Sequence, residues 1–172
     1  VHDKVELKKN LMKKITLLVL LFISTMVFSQ ENTPREEAQK KHEVKLNVFN
    51  LLLSWVDVSY EYLLNEESSV GMGAFYALND GDDFRSYSLT SYYRRFFSDS
   101  YAKGFFVEGF GMLNQYDREV NDFALGIAAG GKFVNRNGFT TEVYFGIGKN
   151  LFNPDRGTPI VTRGGISLGY RF

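Results

Sequence analysis

Alternation of bulky apolar residues with small or polar ones is the feature that most constrains the fold of this chain. From Lys45 to Phe172 the alternation fills eight segments, and turn-forming residues separate them. Successive side chains of a β-strand point to opposite sides, so this period of two predicts strands with two unlike faces. The eight predicted strands are residues 45–53, 55–64, 69–78, 84–97, 104–115, 123–134, 139–151 and 160–172.

The two faces of these strands differ in polarity in a way that is unusual for a soluble barrel. One face is bulky and apolar, whereas the other is small, rich in Gly and Ser, and sparsely charged. A soluble barrel turns its bulky face inward and covers its outside with charge, so this pattern favours lipid outside and a narrow interior. We therefore predict an all-β fold: an eight-stranded antiparallel up-and-down transmembrane β-barrel. The last strand, 160–172, should close the barrel against the strand at 45–53.

Aromatic residues are distributed as this orientation requires. If the strands run alternately up and down, the outward positions near one rim are nearly all aromatic. Such a belt is typical of the level at which lipid headgroups meet the hydrocarbon. The residues predicted for this rim are Tyr62, Phe97, Phe105, Phe133, Phe139, Tyr170 and Phe172.

Isolated charges occupy the predicted inward face. They are Asp57, Glu61, Arg94, Glu108, Lys132, Glu142, Arg163 and Arg171. Acids and bases are equal in number, and unpaired charges in a dry interior are costly. We therefore expect an ion-pair network that fills the barrel, with Glu61, Arg94, Glu108 and Lys132 in mutual contact. The alternative interpretation of these charges is a path for protons or ions.

The N-terminal residues have the features of an export signal. In residues 12–29, Lys13 and Lys14 precede an apolar run that ends near the small residue Ser29, as in a cleavable secretory signal peptide. We interpret residues 1–11 as an upstream extension, 30–42 as a flexible polar leader and 43–172 as the barrel domain. Export together with a lipid-facing barrel predicts the bacterial outer membrane as the location.

Several function classes are disfavoured by composition. Lys plus Arg and Asp plus Glu number 20 each, so no basic field favours nucleic acid. The chain has no Cys, which removes thiolate metal sites. Its histidines, His2 and His42, both fall outside the predicted strands, which disfavours a Ser and His hydrolase. We predict no catalytic residues, no cofactor and no metal site.

Three stretches resemble a known group of proteins. They are "KLNVFNLLLSWVDVSYEYLLNEESSVGMGAFY", the pair "SYYRRFF" and "GFFVEGF", and the closing "GISLGYRF". These resemble small outer-membrane β-barrel proteins of Bacteroidota, including a family of unknown function, and OmpA-like and OmpX-like barrels are the nearest architectural analogues. The resemblance implies that the last strand is the signal read by the barrel-assembly machinery. The residues of that signal are Ile166, Leu168, Tyr170 and Phe172.

The sequence thus predicts a small integral outer-membrane protein with a structural or surface-interaction role and no catalytic activity. Its expected partners are outer-membrane lipids and the barrel-assembly machinery, with no nucleic acid, and we expect a monomer. One alternative is a narrow channel or small-solute transporter. Another is a soluble periplasmic carrier of the lipocalin kind that holds a ligand inside.

Overall fold

Eight strands and one short helix follow each other along the chain. The computed structural model describes residues 40–78, 85–98, 100–116, 120–152 and 159–172, so the predicted signal peptide and most of the predicted leader lie outside it. The strands are β1 (His42–Asn47), β2 (Trp55–Leu63), β3 (Ser68–Ala77), β4 (Arg85–Phe96), β5 (Gly104–Tyr116), β6 (Val120–Val134), β7 (Phe139–Asn150) and β8 (Ile160–Arg171). The helix is α1 (Val48–Leu52). Across the described ranges, no helix is both long and apolar enough to cross a membrane.

The strands form a closed barrel in the order of the chain, and every neighbouring pair is antiparallel. Closure comes from β8, which pairs with β1 so that Val44 stands opposite Tyr170. Beyond this ladder, Phe172 N donates to His42 O at 2.8 Å and His42 N donates to Phe172 O at 3.1 Å. The predicted all-β fold with eight antiparallel strands is confirmed.

The two faces of the barrel wall differ sharply in burial. Along each strand, buried residues alternate with exposed ones, and the buried set points into the lumen. The outward set is bulky and apolar: Met72, Ile127 and Phe145 expose 67%, 66% and 66% of their surface. The interior, by contrast, contains nearly all of the strand charges.

One end of the barrel, which we call the terminal rim, holds His42 and Phe172 together with the turns at 64–67, 97–103 and 135–138. The rings of Phe97 and Phe105 lie 6.0 Å apart at this rim. The aromatic residues that alternation assigned to one rim all lie here: Tyr62, Phe97, Phe105, Phe133, Phe139, Tyr170 and Phe172. The opposite end, which we call the loop rim, carries α1, the last residues of β3, β5 and β7, and the first residues of β4, β6 and β8.

The first predicted strand, residues 45–53, was wrong beyond Asn47. β1 starts at His42, inside the predicted leader, and the chain turns into α1 after Asn47. Asn47 is the helix N-cap, and its Oδ1 accepts a hydrogen bond from Asn50 N at 3.2 Å. Ser54 then adopts φ 64°, which redirects the chain into β2. Capping therefore overrides the apolar pattern of residues 51–53, which resembles a strand.

The inward face is not uniformly small, contrary to the sequence prediction. Buried rings point into the lumen from Tyr92, Phe96, Phe106, Phe110 and Tyr144. Several stand directly opposite glycines on neighbouring strands. A Cβ atom added at Gly71 would lie 2.2 Å from Cζ of Tyr92, and one at Gly126 would lie 2.3 Å from Cζ of Phe110. The glycines therefore make room for rings from the next strand.

Candidate functional site: the charge cluster inside the barrel

Nine charged side chains meet in the part of the lumen nearer the terminal rim, and we call them the charge cluster. They are Glu43, Lys45, Glu61, Arg94, Glu108, Lys132, Glu142, Arg163 and Arg171. Their side chains are at most 2% exposed, apart from Arg163 at 10%. Every strand except β3 supplies a charge, and β3 supplies Ser69, whose hydroxyl donates to Glu61 Oε1 at 2.6 Å. The cluster therefore joins the whole circumference of the barrel.

Arg94 of β4 is the centre of the cluster. Its Nη1 donates to Glu61 Oε2 at 3.1 Å and to Glu142 Oε2 at 2.8 Å. Its Nη2 donates to Glu108 Oε2 at 2.7 Å and to Glu142 Oε1 at 2.9 Å. The guanidinium carbon lies 3.7 Å from the ring centroid of Phe106. One planar cation is thus hydrogen-bonded to three carboxylates and stacked on an aromatic face.

Two lysines add further links between the carboxylates of the cluster. Lys45 Nζ forms an ion pair with Glu61 and donates to Glu142 Oε2 at 2.9 Å. Lys132 Nζ donates to Glu43 Oε2 at 2.8 Å and to Glu61 Oε1 at 2.7 Å. Each of these carboxylates therefore bridges at least two cations, which compensates much of the cost of burying the charges.

Arg171 connects the cluster to the terminal rim. Its Nε donates to Glu43 Oε1 at 2.7 Å, and its Nη2 donates to the carbonyl of Ala102 at 2.8 Å. Ala102 belongs to the turn at 97–103, is fully buried, and donates its own N–H to Glu66 O at 2.8 Å. The turn therefore packs over the interior at this end of the barrel.

Arg163 bounds the cluster on the side of the loop rim. It forms an ion pair with Glu108, the same carboxylate that Arg94 uses. Three rings surround its guanidinium group, with the carbon atom 5.2 Å from the Tyr92 centroid, 5.3 Å from that of Phe110 and 5.2 Å from that of Tyr144. Aromatic side chains thus surround the cation at the loop-rim end of the cluster.

The predicted inward charges fall into two groups. The structure brings Glu61, Arg94, Glu108, Lys132, Glu142, Arg163 and Arg171 into the cluster. Asp57 lies apart, where its Oδ2 accepts from Asn47 Nδ2 at 3.1 Å and from Asn50 Nδ2 at 2.8 Å. Of the residues expected in mutual contact, Arg94 contacts Glu61 and Glu108, and Lys132 contacts Glu61.

Sequence reasoning missed Glu43 and Lys45. The first strand was predicted to begin at Lys45, so Glu43 fell between the leader and the strand, and neither residue was assigned to a face. A usable signal was present, because Val44 and Leu46 are apolar and the intervening positions are polar. Alternation extended backward by three residues would have placed both charges inside the barrel.

The arrangement can fill the lumen, because every carboxylate of the cluster is paired with at least two cations. Because these side chains are buried, removing one partner of an ion pair would leave an uncompensated charge in the lumen. Within the described ranges, no group of three or more His, Asp or Glu side chains is arranged to hold a metal ion. The cluster is therefore best described as a polar core for the barrel.

Comparisons with known proteins give one match. A family model described as "Protein of unknown function (DUF3575)" matches residues 15–172. Comparisons with curated proteins and with solved structures gave no match. Because the matched segment includes nearly all of the sequence, the chain belongs to the DUF3575 family of proteins of unknown function.

Proposed function

We propose that this chain is a small integral protein of a bacterial outer membrane, similar in architecture to OmpA-like and OmpX-like barrels of other bacteria and of the kind found in Bacteroidota. Its role is structural or surface-interacting, without catalysis. The observation that carries this proposal is the inverted distribution of polarity. Charges fill the lumen, while the outer wall is apolar on every strand.

The outer wall is poorly suited to water. Leu89, Leu125 and Phe133 expose 53%, 54% and 67% of their surface, and similar residues surround the barrel. The largest apolar patch on a soluble monomer is typically about 300–600 Å². A continuous apolar belt around a closed barrel exceeds what such a monomer tolerates, whereas hydrocarbon accommodates it.

Strand lengths also support a membrane-spanning barrel. A tilted transmembrane strand needs about 9–11 residues. β4, β7 and β8 have 12 residues each, and β5 and β6 have 13 and 15. The aromatic terminal rim would then lie at the level of the lipid headgroups. The predicted signal peptide and the outward row of Ile166, Leu168, Tyr170 and Phe172 fit export and recognition by the barrel-assembly machinery.

The interior supports a structural role over conduction. The charge cluster occupies the lumen nearer the terminal rim, and the turn at 97–103 packs over it through Ala102. Ion conduction requires a path in which charged groups are hydrated or exchangeable, whereas these groups are hydrogen-bonded to each other. Because one chain supplies all of the partners in the cluster, a monomer is sufficient for the proposed architecture.

Insertion and topology can be tested in one experiment. The chain has no native Cys, so single cysteines can be placed by Asp82→Cys, between β3 and β4 in the sequence, by Asp155→Cys, between β7 and β8, and by Asn137→Cys at the terminal rim. A membrane-impermeant maleimide added to whole cells should label the first two variants and not the third. Detergent-folded protein should also migrate differently before and after boiling. Release of the chain from membranes without detergent would instead support a soluble carrier.

The channel alternative predicts a different result in planar bilayers. We expect the purified barrel to add no steady conductance. A steady conductance that is lost in Glu108→Gln or Arg94→Gln would support a narrow channel through the cluster and contradict the structural role.

A further inference from the structure

The barrel wall is incomplete near the loop rim. β1 ends at Asn47, opposite Ser167, so residues 160–166 of β8 extend beyond the last residue that β1 can pair with. Pairing between β1 and β2 ends at Val58, which leaves residues 55–57 of β2 without a ladder on that side. We call the space between these two strand segments the wall gap. Helix α1 lies between them and contacts both strands.

Side chains stabilise the open edge of β8. Asn47 Nδ2 donates to the carbonyl of Gly164 at 3.1 Å. Arg85 Nη1, which comes from β4, donates to the carbonyl of Thr162 at 3.3 Å. Unsatisfied carbonyl groups within a membrane are costly, so these contacts allow the edge to persist without a further strand.

A cavity of about 300 Å³ lies at the wall gap. Thr162 and Gly164, on the outward face of β8, line it together with Arg163 and Gly165, which face inward. A cavity sealed inside the barrel would contact only the inward face, so this one connects the interior with the outer surface. Gly165 has φ 143°, and a Cβ atom there would lie 2.5 Å from Asn47 Oδ1, so this edge requires glycine.

The cavity combines cations with aromatic walls. Arg85 and Arg163 both line it, and the Arg85 guanidinium carbon lies 4.5 Å from the ring centroid of Phe75. Arg163 shares its carboxylate, Glu108, with Arg94. The ion pairs of the charge cluster join four carboxylates to five cations, so the cluster holds one more cation than it has carboxylates.

A further carboxylate, that of Asp57 on β2, lies close to the cavity. Its Oδ2 accepts hydrogen bonds from the amides of Asn47 and Asn50, and Asn50 itself lines the cavity. The outer lip is apolar, with Phe49 and Phe145 exposed by 48% and 66%. The cavity therefore combines the guanidinium groups of Arg85 and Arg163 with an apolar opening, and this combination suits a ligand with an anionic head and a hydrocarbon chain.

We propose that the wall gap is a lateral opening that binds an anionic amphiphile. A carboxylate or phosphate head would lie against Arg85 and Arg163, and the chain would extend past Phe49 and Phe145 to the outside of the barrel. A transmembrane strand crosses the hydrocarbon with about 9–11 residues. If these residues are counted along β8 from the terminal rim, the wall gap lies in the half of the bilayer nearer the loop rim. Access from lipid rests on the proposed membrane location, whereas affinity for the anionic head does not.

Trp55 makes the proposal directly measurable, because it lines the cavity and is the only tryptophan of the chain. The full-length mature chain is folded into phosphatidylcholine vesicles, and dibromostearate is added as a quencher. We expect saturable quenching of Trp55 by the acid and only weak, non-saturable quenching by its methyl ester. Arg85→Gln should weaken the affinity for the acid at least tenfold, whereas Arg95→Gln, an exposed arginine at the terminal rim, should leave it unchanged.

A second pair of variants keeps the test valid if Arg85→Gln does not fold. Phe145→Ala should weaken binding several-fold, and Phe133→Ala, an equally exposed ring at the terminal rim, should not. In a control variant, Trp55→Phe with Phe133→Trp, the tryptophan lies away from the cavity. Its fluorescence should be quenched equally by the acid and the ester. Equal quenching of Trp55 by acid and ester, or unchanged affinity in both Arg85→Gln and Phe145→Ala, overturns the proposal.

Competition distinguishes the possible head groups and ligand sources. If dodecyl phosphate displaces dibromostearate, the site accepts amphiphiles with phosphate heads as well as those with carboxylate heads, which supports the proposal. Displacement by inorganic phosphate alone indicates a free-anion site and overturns the amphiphile. Extraction of the chain without detergent overturns the membrane location and the lateral route together, even if the acid still binds. If the barrel inserts into membranes but the acid and the ester quench Trp55 equally, only this inference is overturned.

Discussion

Arg94 and Glu142 form a bidentate pair across the lumen, with Nη1 to Oε2 at 2.8 Å and Nη2 to Oε1 at 2.9 Å. The two residues belong to β4 and β7, which are separated in the barrel by β5 and β6. Both side chains are almost fully buried. The pair therefore ties together two parts of the wall that share no backbone hydrogen bonds, and the rest of the charge cluster is arranged around it.

Replacing Arg94 should destabilise the barrel strongly. In Arg94→Met, three buried carboxylates lose their common cation, and breaking one partner of a buried pair typically costs about 3–5 kcal/mol. Urea unfolding in phosphatidylcholine vesicles, followed by Trp55 fluorescence, measures this loss. The neighbouring Arg95 faces outward and pairs with Glu67, with side-chain exposures of 52% and 57%, so Arg95→Met should cost less than about 1 kcal/mol. Similar losses in the two variants would contradict a stabilising cluster.

The glycines that face interior rings should not tolerate a methyl group. A Cβ atom at Gly126 would meet Phe110 Cζ at 2.3 Å and the carbonyl of Ile147 at 2.5 Å. Overpacking of this kind costs about 1–3 kcal/mol, so Gly126→Ala should lower the free energy of unfolding by that amount. Gly109→Ala is the matched control, because a Cβ atom there would have nothing within 4 Å. Equal unfolding free energies of the two variants would show that the rings can move away.

A charge on the middle of the outer wall should oppose insertion. Ile127 lies at the centre of β6 and is 66% exposed. An arginine on the lipid face costs about 2–4 kcal/mol at the midplane of the bilayer and much less near its surface. Ile127→Arg should therefore reduce the yield of folded protein in vesicles more than Ile160→Arg at the start of β8. If the outer wall faced water, neither variant would lose folded protein.

The last residue should be required for assembly. Phe172 is held by a reciprocal pair of backbone hydrogen bonds with His42, and its side chain lies on the outward face. Phe172→Asp should lower the amount of heat-modifiable barrel in the outer membrane, because it places a charge at the end of the predicted assembly signal. Phe152→Asp is the control, because Phe152 is 71% exposed and lies beyond the end of β7. Normal outer-membrane levels of Phe172→Asp would contradict the assembly role.

The number of strands and the direction of each side chain could be predicted because they depend on local periodicity. Phe97 and Phe133 were assigned outward from alternation alone, and both are exposed. The start of β1 was predicted three residues too late, because the polar leader before it obscures the alternation around Glu43. The turn at Asn47 was missed for a different reason: helix capping depends on one side chain and leaves little trace in hydrophobic pattern.

The sequence by itself determined that strands alternate between a bulky and a polar face, because that property requires only a period of two along each segment. It also determined that eight charges on β2 and β4 to β8 point inward, although it missed the buried Arg85 at the start of β4. Only the tertiary structure decided which of these charges meet, because Arg94 and Glu142 are 48 residues apart and their distance depends on closure and register. Closure likewise decided that α1, and not a strand, lies beside β8 near Gly164, where the wall gap remains.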